Sequence, residues 1–144
     1  MNQTIETIVN SKHLAVVGVS DKKMGGLIYK TLKQRGYNVY AVHPTRLTFE
    51  GDKCYPSLAS LPAEVNSAIV AVSPKAAEAV VESAKTTGIT TLWFQQGKNV
   101  STAVLKAQTA GLETVSRKCI LMYARPVTGI HAAHRLVARV FGRL

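Results

Sequence analysis

Acidic residues are scarce in this chain: eight Asp and Glu stand against eighteen Lys and Arg among 144 residues, a formal net charge of +10. Paired-carboxylate chemistry has few places to reside, and an anionic partner is favoured, be it a phosphorylated small molecule, nucleic acid or an acidic membrane. Cysteine is nearly absent. Cys54 and Cys119 stand far apart with no CxxC and no His/Cys cluster, so neither a disulfide framework nor a metal site follows, and a reduced, cytoplasmic setting is the default. No run approaches the ~20 apolar residues that cross a bilayer. The stretch from Met1 to Val9 lacks the basic and long apolar regions of a secretion signal. Internal repeats and low-complexity linkers are also missing, which leaves one domain: residues 1–125 as its body and 126–144 as a basic helical extension. What is present, 47% hydrophobic and 18% charged residues, suits a globular chain burying roughly two-thirds of its unfolded surface.

Apolar periodicity switches back and forth along the chain. Thr4–Ser11 reads as a short helix with Ile5, Ile8 and Val9 on one face. Leu14–Gly18 is a buried strand, and Met24–Arg35 a helix with Ile28, Leu32 and Arg35 at helical spacing, stopped at Gly36. Tyr37–Val42 alternates as a second strand ending at His43-Pro44. Thr45–Val65 is the least regular part, with one helical turn at Ser57–Leu61 and a short edge strand near Lys53; Cys54 falls in what reads as a polar loop. Ser67–Val72 is a third main strand, and Ser73-Pro74 opens a helix to Gly88 with Ser as cap and Pro at the first helical position. Thr90–Phe94 is a strand, Ser101–Ala110 a helix, Leu112–Ser116 a strand leading to Cys119, and Ile130–Leu144 an amphipathic helix. Strands alternating with helices predict an α/β fold: a doubly wound, mostly parallel sheet of five or six strands, Rossmann-like, with helices on both faces.

Ligands of such sheets lie beyond the carboxyl ends of the strands, at the point where strand order reverses. The residues there are Gly18-Val19-Ser20, His43-Pro44, Ser73-Pro74, Gln95-Gln96-Gly97 and Cys119. A strand ending in Gly, a loop carrying Lys22 and Lys23, and then a helix is a way to hold phosphate on free backbone N–H groups. The loop departs from GxGxxG, since the next glycines come only at Gly25 and Gly26. The end of the second strand, Val42-His43-Pro44-Thr45-Arg46, offers no acid to a ribose diol, which disfavours NAD. Arg46 with Lys22 and Lys23 suits a ligand with extra phosphates, such as CoA or NADP. The same strand-end residues also serve as ordinary turn formers in any α/β protein.

The order and spacing of five blocks carry a resemblance: Ala15-Val-Val-Gly-Val-Ser20, Gly36-Tyr-Asn-Val-Tyr-Ala-Val-His-Pro44, Gly51-Asp-Lys-Cys-Tyr-Pro-Ser-Leu58, Trp93-Phe-Gln-Gln-Gly97, and Ala110-Gly-Leu-Glu113 leading to Cys119. From about His13 to Tyr123 the chain resembles the small CoA-binding proteins, whose domain is similar to the CoA-binding domain of the succinyl-CoA synthetase α-subunit. The resemblance implies a Rossmann-like fold that binds CoA, with NADP ranking behind it. It implies that Gly18, Val19 and Ser20 lie against the phosphates and pantetheine and that Lys22 or Lys23 meets phosphate. Pro44 and Arg46 would flank adenine and the ribose phosphate, and Val72, Ser73 and Pro74 would pack on the nucleotide from the other side. The segment that carries the synthetase's phosphohistidine has no counterpart, and none of the four histidines sits in a matching motif, so synthetase activity is not implied. After the cysteine the chain departs from the family's polar tail with Ile120-Leu-Met-Tyr-Ala-Arg-Pro126.

Single residues have plainer uses beside these. Gln96, with Gln95, can meet a ligand amide or cap the next loop. Cys119 can exchange with a pantetheine thiol if a cation lowers its pKa, or fill space at a strand end. His43 is read first as a hydrogen-bonded loop residue, and Trp93 and Phe94 as core. The C-terminal helix sets Ile130, Ala133, Val137, Val140, Phe141 and Leu144 against His131, Arg135, Arg139 and Arg143. Docking on its own sheet, or on a second subunit as a homo-oligomer contact, is favoured over a nucleic-acid or anionic-membrane role. The expectation is thus a CoA binder without chemistry of its own, no catalytic residue being identified. An enzyme acting on CoA or an acyl-CoA thioester, or by thiol–disulfide chemistry, is the alternative, and a nucleic-acid binder the second.

Overall fold

The computed structural model describes residues 3–126; the helix expected over 130–144 lies outside them. Helix α1 (Gln3–Val9) leads into β1 (His13–Val17), α2 (Met24–Gln34) and β2 (Asn38–Val42). A hairpin follows, β3 (Thr48–Phe49) and β4 (Asp52–Tyr55), then a 3₁₀ turn at Leu58–Ser60. The remaining elements are β5 (Ser67–Val70), α3 (Pro74–Ala84), β6 (Thr91–Gln95), α4 (Ser101–Thr109) and β7 (Glu113–Lys118), closed by a 3₁₀ turn at Ile120–Met122.

The strands form one seven-stranded sheet in the order β3-β4-β2-β1-β5-β6-β7, parallel except for the β3–β4 pair. This is the doubly wound, mostly parallel sheet expected, with the two-residue β3 as its addition. Because β2 and β5 flank β1 on opposite sides, strand order reverses between β1 and β5. The β3–β4 turn, Glu50-Gly51, has φ of 52° and 80°, the two positive values of a type I′ turn whose twist matches that of the strands it joins.

Alternation on β1 divides the core. Leu14 and Val16 face Ile5, Ile8, Ile28, Tyr29, Leu32 and Trp93, beneath α1 and α2. Ala15 and Val17 face Val70, Ala77, Val81, Phe94, Ala103 and Ala107, beneath α3 and α4. Trp93 and Phe94 are both fully buried, one on each face, and the indole Nε1 donates to the Lys118 carbonyl at 3.0 Å. Cys54 lies in β4 and is buried, not in a polar loop, because Ala41 and the α2 face close over it. α3 stops at Ala84, short of Gly88: Thr86 and Thr87 donate their hydroxyls to the Ser83 and Ala84 carbonyls and use up the last turn's acceptors. Arg35, the third residue of the apolar α2 spacing, does not pack as core. Its guanidinium donates to the Leu121 and Ala124 carbonyls at 2.9 and 2.8 Å, and Tyr37 Oη donates to the Arg125 carbonyl at 2.8 Å. These bonds clasp the segment after β7 onto α2 and β2.

Candidate functional site

The reversal between β1 and β5 forces their following loops apart, and a cleft of about 570 Å³ opens over the carboxyl ends of β1, β2 and β5. Its floor is Val17, Val42 and Ala71, one wall the Gly18–Ser20 loop with Lys23, and the other α3. The size falls in the usual range for small-molecule sites.

Gly18 sets the floor's shape. The chain continues the sheet there, its N–H donating to the Val42 carbonyl at 3.1 Å, and then turns at φ +101°. A Cβ at this position would lie 2.5 Å from the Ala71 carbonyl oxygen and 2.6 Å from Val72 Cγ1. Only glycine lets the β1 and β5 ends approach this closely. α2 begins directly after the loop, and its first turn presses on it: a Cβ on Gly25 would meet the Gly18 carbonyl. Lys23, the N-cap of α2, makes no side-chain cap bond, so this helix end keeps backbone N–H groups for an anion. The contrast is α3, where Ser73 Oγ accepts from Ala76 N at 3.3 Å and Pro74 fills the first turn, as the sequence predicts.

His43 lines the cleft as a loop residue held by the backbone. Its Nδ1 accepts from the N–H of Thr45 (3.2 Å) and of Arg46 (3.0 Å). In the neutral ring the proton therefore sits on Nε2. The charge pattern of the site is one-sided. None of the residues lining the cleft is Asp or Glu, and Lys23 and Lys98 stand at its rim. Five of the eight acids pair with cations elsewhere: Asp21 with Lys30 and Arg46, Glu50 with Lys30, Asp52 with Lys33, Glu78 with Lys106 and Glu82 with Lys85.

Of the residues singled out from sequence, Gly18, Val19, Ser20, Lys23, Pro44, Val72 and Ser73 come together on this cleft. Gln96 lines an adjoining one. Lys22, Arg46, Pro74 and Cys119 are not among the lining residues of either. Arg46 is held by three other contacts: Nε donates to the Thr48 carbonyl at 2.9 Å, the guanidinium stacks 5.1 Å from the Phe49 ring centroid, and it reaches Asp21 at 3.6 Å. Cys119 lies just past β7, beside the Gln95 side chain, whose Oε1 accepts from Ile120 N at 3.1 Å while Nε2 has no partner. The α3 wall was missed in the sequence, although Ala76, Val80 and Ser83 recur at helical spacing behind the Ser73-Pro74 cap. Pro56, Leu58 and Lys98 were missed as well, since only the folding of two loops brings them to the site.

A parallel sheet with helices on both faces and a cleft at its switch point defines a Rossmann-like binding domain. Residues 12–125 match the model of the CoA binding domain, and the chain belongs to that family. It is 36% identical over 80 residues to the acetate–CoA ligase (ADP-forming) I of Archaeoglobus fulgidus, which covers 54% of this chain but only 12% of that protein. Among solved structures, a hypothetical protein from Pyrococcus horikoshii OT3 superposes with a TM-score of 0.75 at 33% identity, over 83% of this chain and 86% of that one. A conserved hypothetical protein from Pyrococcus furiosus gives 0.73 at 34% identity, over 77% and 97%. Among the described residues no helix is long and apolar enough to cross a membrane.

Proposed function

We propose that this protein is a non-catalytic CoA binder, acting as a carrier, sensor or regulator, with the nucleotide held over the carboxyl ends of β1, β2 and β5. The observation that carries this reading is the cleft at the switch point, free of carboxylates and edged by an uncapped helix N-terminus and by Lys23. The residues fit the group. Gly18, Val19 and Ser20 with Lys23, and Lys22 beside it, would hold the diphosphate. Pro44 and Pro56 with Leu58 and Val80 would sandwich the adenine. Val72, Ser73 and Pro74 would bound the nucleotide on the β5 side, Arg46 would stand toward the ribose phosphate, and Gln96 and Cys119 toward the pantetheine end. The lack of chemistry rests on the lining itself. Beside two lysines, its one titratable side chain is His43, whose Nδ1 is taken by the backbone. Two unpaired thiols favour the cytoplasm as its setting.

The test is a thermal-shift and calorimetric panel with CoA, acetyl-CoA, NADP, NAD and a random DNA duplex at two salt concentrations. CoA at 100 times its dissociation constant adds about 2.7 kcal/mol of stability. Stabilisation by NAD and not by CoA, or duplex binding with a steep salt slope, overturns the reading. Release of free thiol from acetyl-CoA above the protein-free rate would refute the non-catalytic part. Exchange of Lys22 and Lys23 for alanine should weaken CoA about tenfold, in line with one or two lost charge-assisted contacts.

A further inference from the structure

A second cleft, of about 620 Å³, lies over the ends of β6 and β7 beside α4. It shares Lys98 with the first, so the two clefts adjoin at that residue along the carboxyl edge of the sheet. Its lining differs. Where the first cleft presents mainly valines and prolines, the second sets Gln96, Asn99, Ser101, Gln108, Ser116 and Arg117 beside Val100, Val104 and Leu105, with no acid. Neither Lys98 nor Arg117 has an ion-pair partner among the described residues.

The backbone beneath Arg117 is irregular in a way that bears on this cleft. Pairing runs Trp93↔Val115 and then Gln95↔Lys118, so β7 carries one residue more than β6 between these pairs. That extra residue makes a bulge, and Arg117 sits in it at φ +62°. A bulge re-aims a side chain, and a left-handed non-glycine residue is strained. Here the bulge, and not strand alternation, sets an exposed guanidinium on the wall of the second cleft.

We propose that the second cleft receives the acyl group of an acyl-CoA, and that Lys98 and Arg117 select acyl groups ending in a carboxylate. This rests on the CoA reading above. With the nucleotide over β1 and β2, the strands from β1 to β7 span three spacings, ~14 Å, which an extended pantetheine arm can cross. The thioester then arrives beyond Lys98, where Val104 and Leu105 can meet the methylenes of an acyl chain and the amides, hydroxyls and cations its polar end. Two unpaired cations without a competing acid favour a terminal carboxylate over a methyl.

The full chain is titrated calorimetrically with CoA, valeryl-CoA, glutaryl-CoA and free glutarate. The two thioesters have equal carbon counts and differ in a terminal methyl or carboxylate. Glutaryl-CoA is expected to bind about tenfold tighter than valeryl-CoA, the worth of one charge-assisted pair. In Lys98→Ala with Arg117→Asn, the ratio should fall toward one, whatever happens to CoA itself. Asparagine tolerates the left-handed backbone, so this variant keeps its fold, and Arg117→Lys should retain most of the preference. Equal binding of the two thioesters while CoA still binds refutes the acyl site and leaves the CoA reading standing. Free glutarate binding as tightly as glutaryl-CoA refutes the acyl source. Failure of every CoA species to bind overturns both.

Discussion

Replacing Gly18 with alanine separates two costs that a left-handed glycine usually combines. At φ +101° an alanine carries the strain of the left-handed region, about 1–2 kcal/mol. It regains about half a kcal/mol because the unfolded chain has fewer conformations to lose. Gly51 shares only this part: its φ is +80°, and a Cβ there would meet nothing within 4 Å. Gly18→Ala must in addition move the Ala71 carbonyl and Val72, a collision with backbone of the kind that costs about 1–3 kcal/mol. Gly51→Ala should therefore destabilise by about 1 kcal/mol and Gly18→Ala by about 3. At this chain length 1 kcal/mol is worth about 3 °C in Tm, so the expected shifts are about 3 °C and 9 °C. Urea unfolding followed by fluorescence of Trp93, the one tryptophan and fully buried, reads both. The m-values should be unchanged. CoA affinity, measured well below the melting transition, should fall for Gly18→Ala and stay constant for Gly51→Ala. Equal destabilisation by the two substitutions would refute the claim that the β1 and β5 ends are in contact through Gly18.

Three further predictions concern the surroundings of the cleft. Arg46→Ala should cost about 1 kcal/mol by denaturant titration, since it removes a stack on Phe49 and an ion pair with Asp21. It should also weaken CoA, though less than Lys23→Ala does, and unchanged CoA affinity would remove the ribose phosphate from Arg46. His43→Ala leaves the N–H groups of Thr45 and Arg46 without their acceptor and should cost about 1 kcal/mol in the same titration, with Asn in its place restoring part of it. The Tyr29–Asp52–Lys33 group should make stability depend on pH at both extremes. Lys33 and the Tyr29 hydroxyl hold the Asp52 carboxyl below its ordinary 3.8. Its contribution is therefore present above that value and lost as pH falls further, so the gap between wild type and Asp52→Asn, at most about 1 kcal/mol at this half-exposed site, should narrow progressively as pH falls below 3.8. Burial and then the Asp52 bond push the Tyr29 phenol above its ordinary 10.0. Its contribution is present below pH 10 and declines above it, and Tyr29→Phe should flatten that alkaline limb in thermal melts.

The alternation of periods from Thr4 to Ser116 was enough to give the fold class and every α-helix of the described body, because each buried strand is a short apolar run closed by a turn former. The β3–β4 hairpin was only half visible: an edge strand near Lys53 could be read, but Glu50-Gly51 is an unusual pair for a turn that normally announces itself with Asn-Gly or Asp-Gly. The site divides the same way. Gly18, Ser20, Lys23 and Ser73 are legible because each stands beside the strand end it serves. Pro56, Lys98 and the α3 wall depend on which loops fold over which strand, and the engagement of Arg46 depends on Asp21, 25 positions earlier. The Arg117 bulge leaves no mark, as nothing in Val115-Ser-Arg-Lys118 signals an extra residue in a ladder that forms with β6.

The hydrogen bonds from Arg35 and Tyr37 have a mechanical consequence. They moor the backbone at Leu121, Ala124 and Arg125 to α2 and to the start of β2, across the sheet from the β7 edge that precedes it in the chain. A load applied at Pro126 thus reaches α2 and β2 as directly as it reaches β6, and among the described residues α2 is the helix whose opening turn abuts the Gly18 loop.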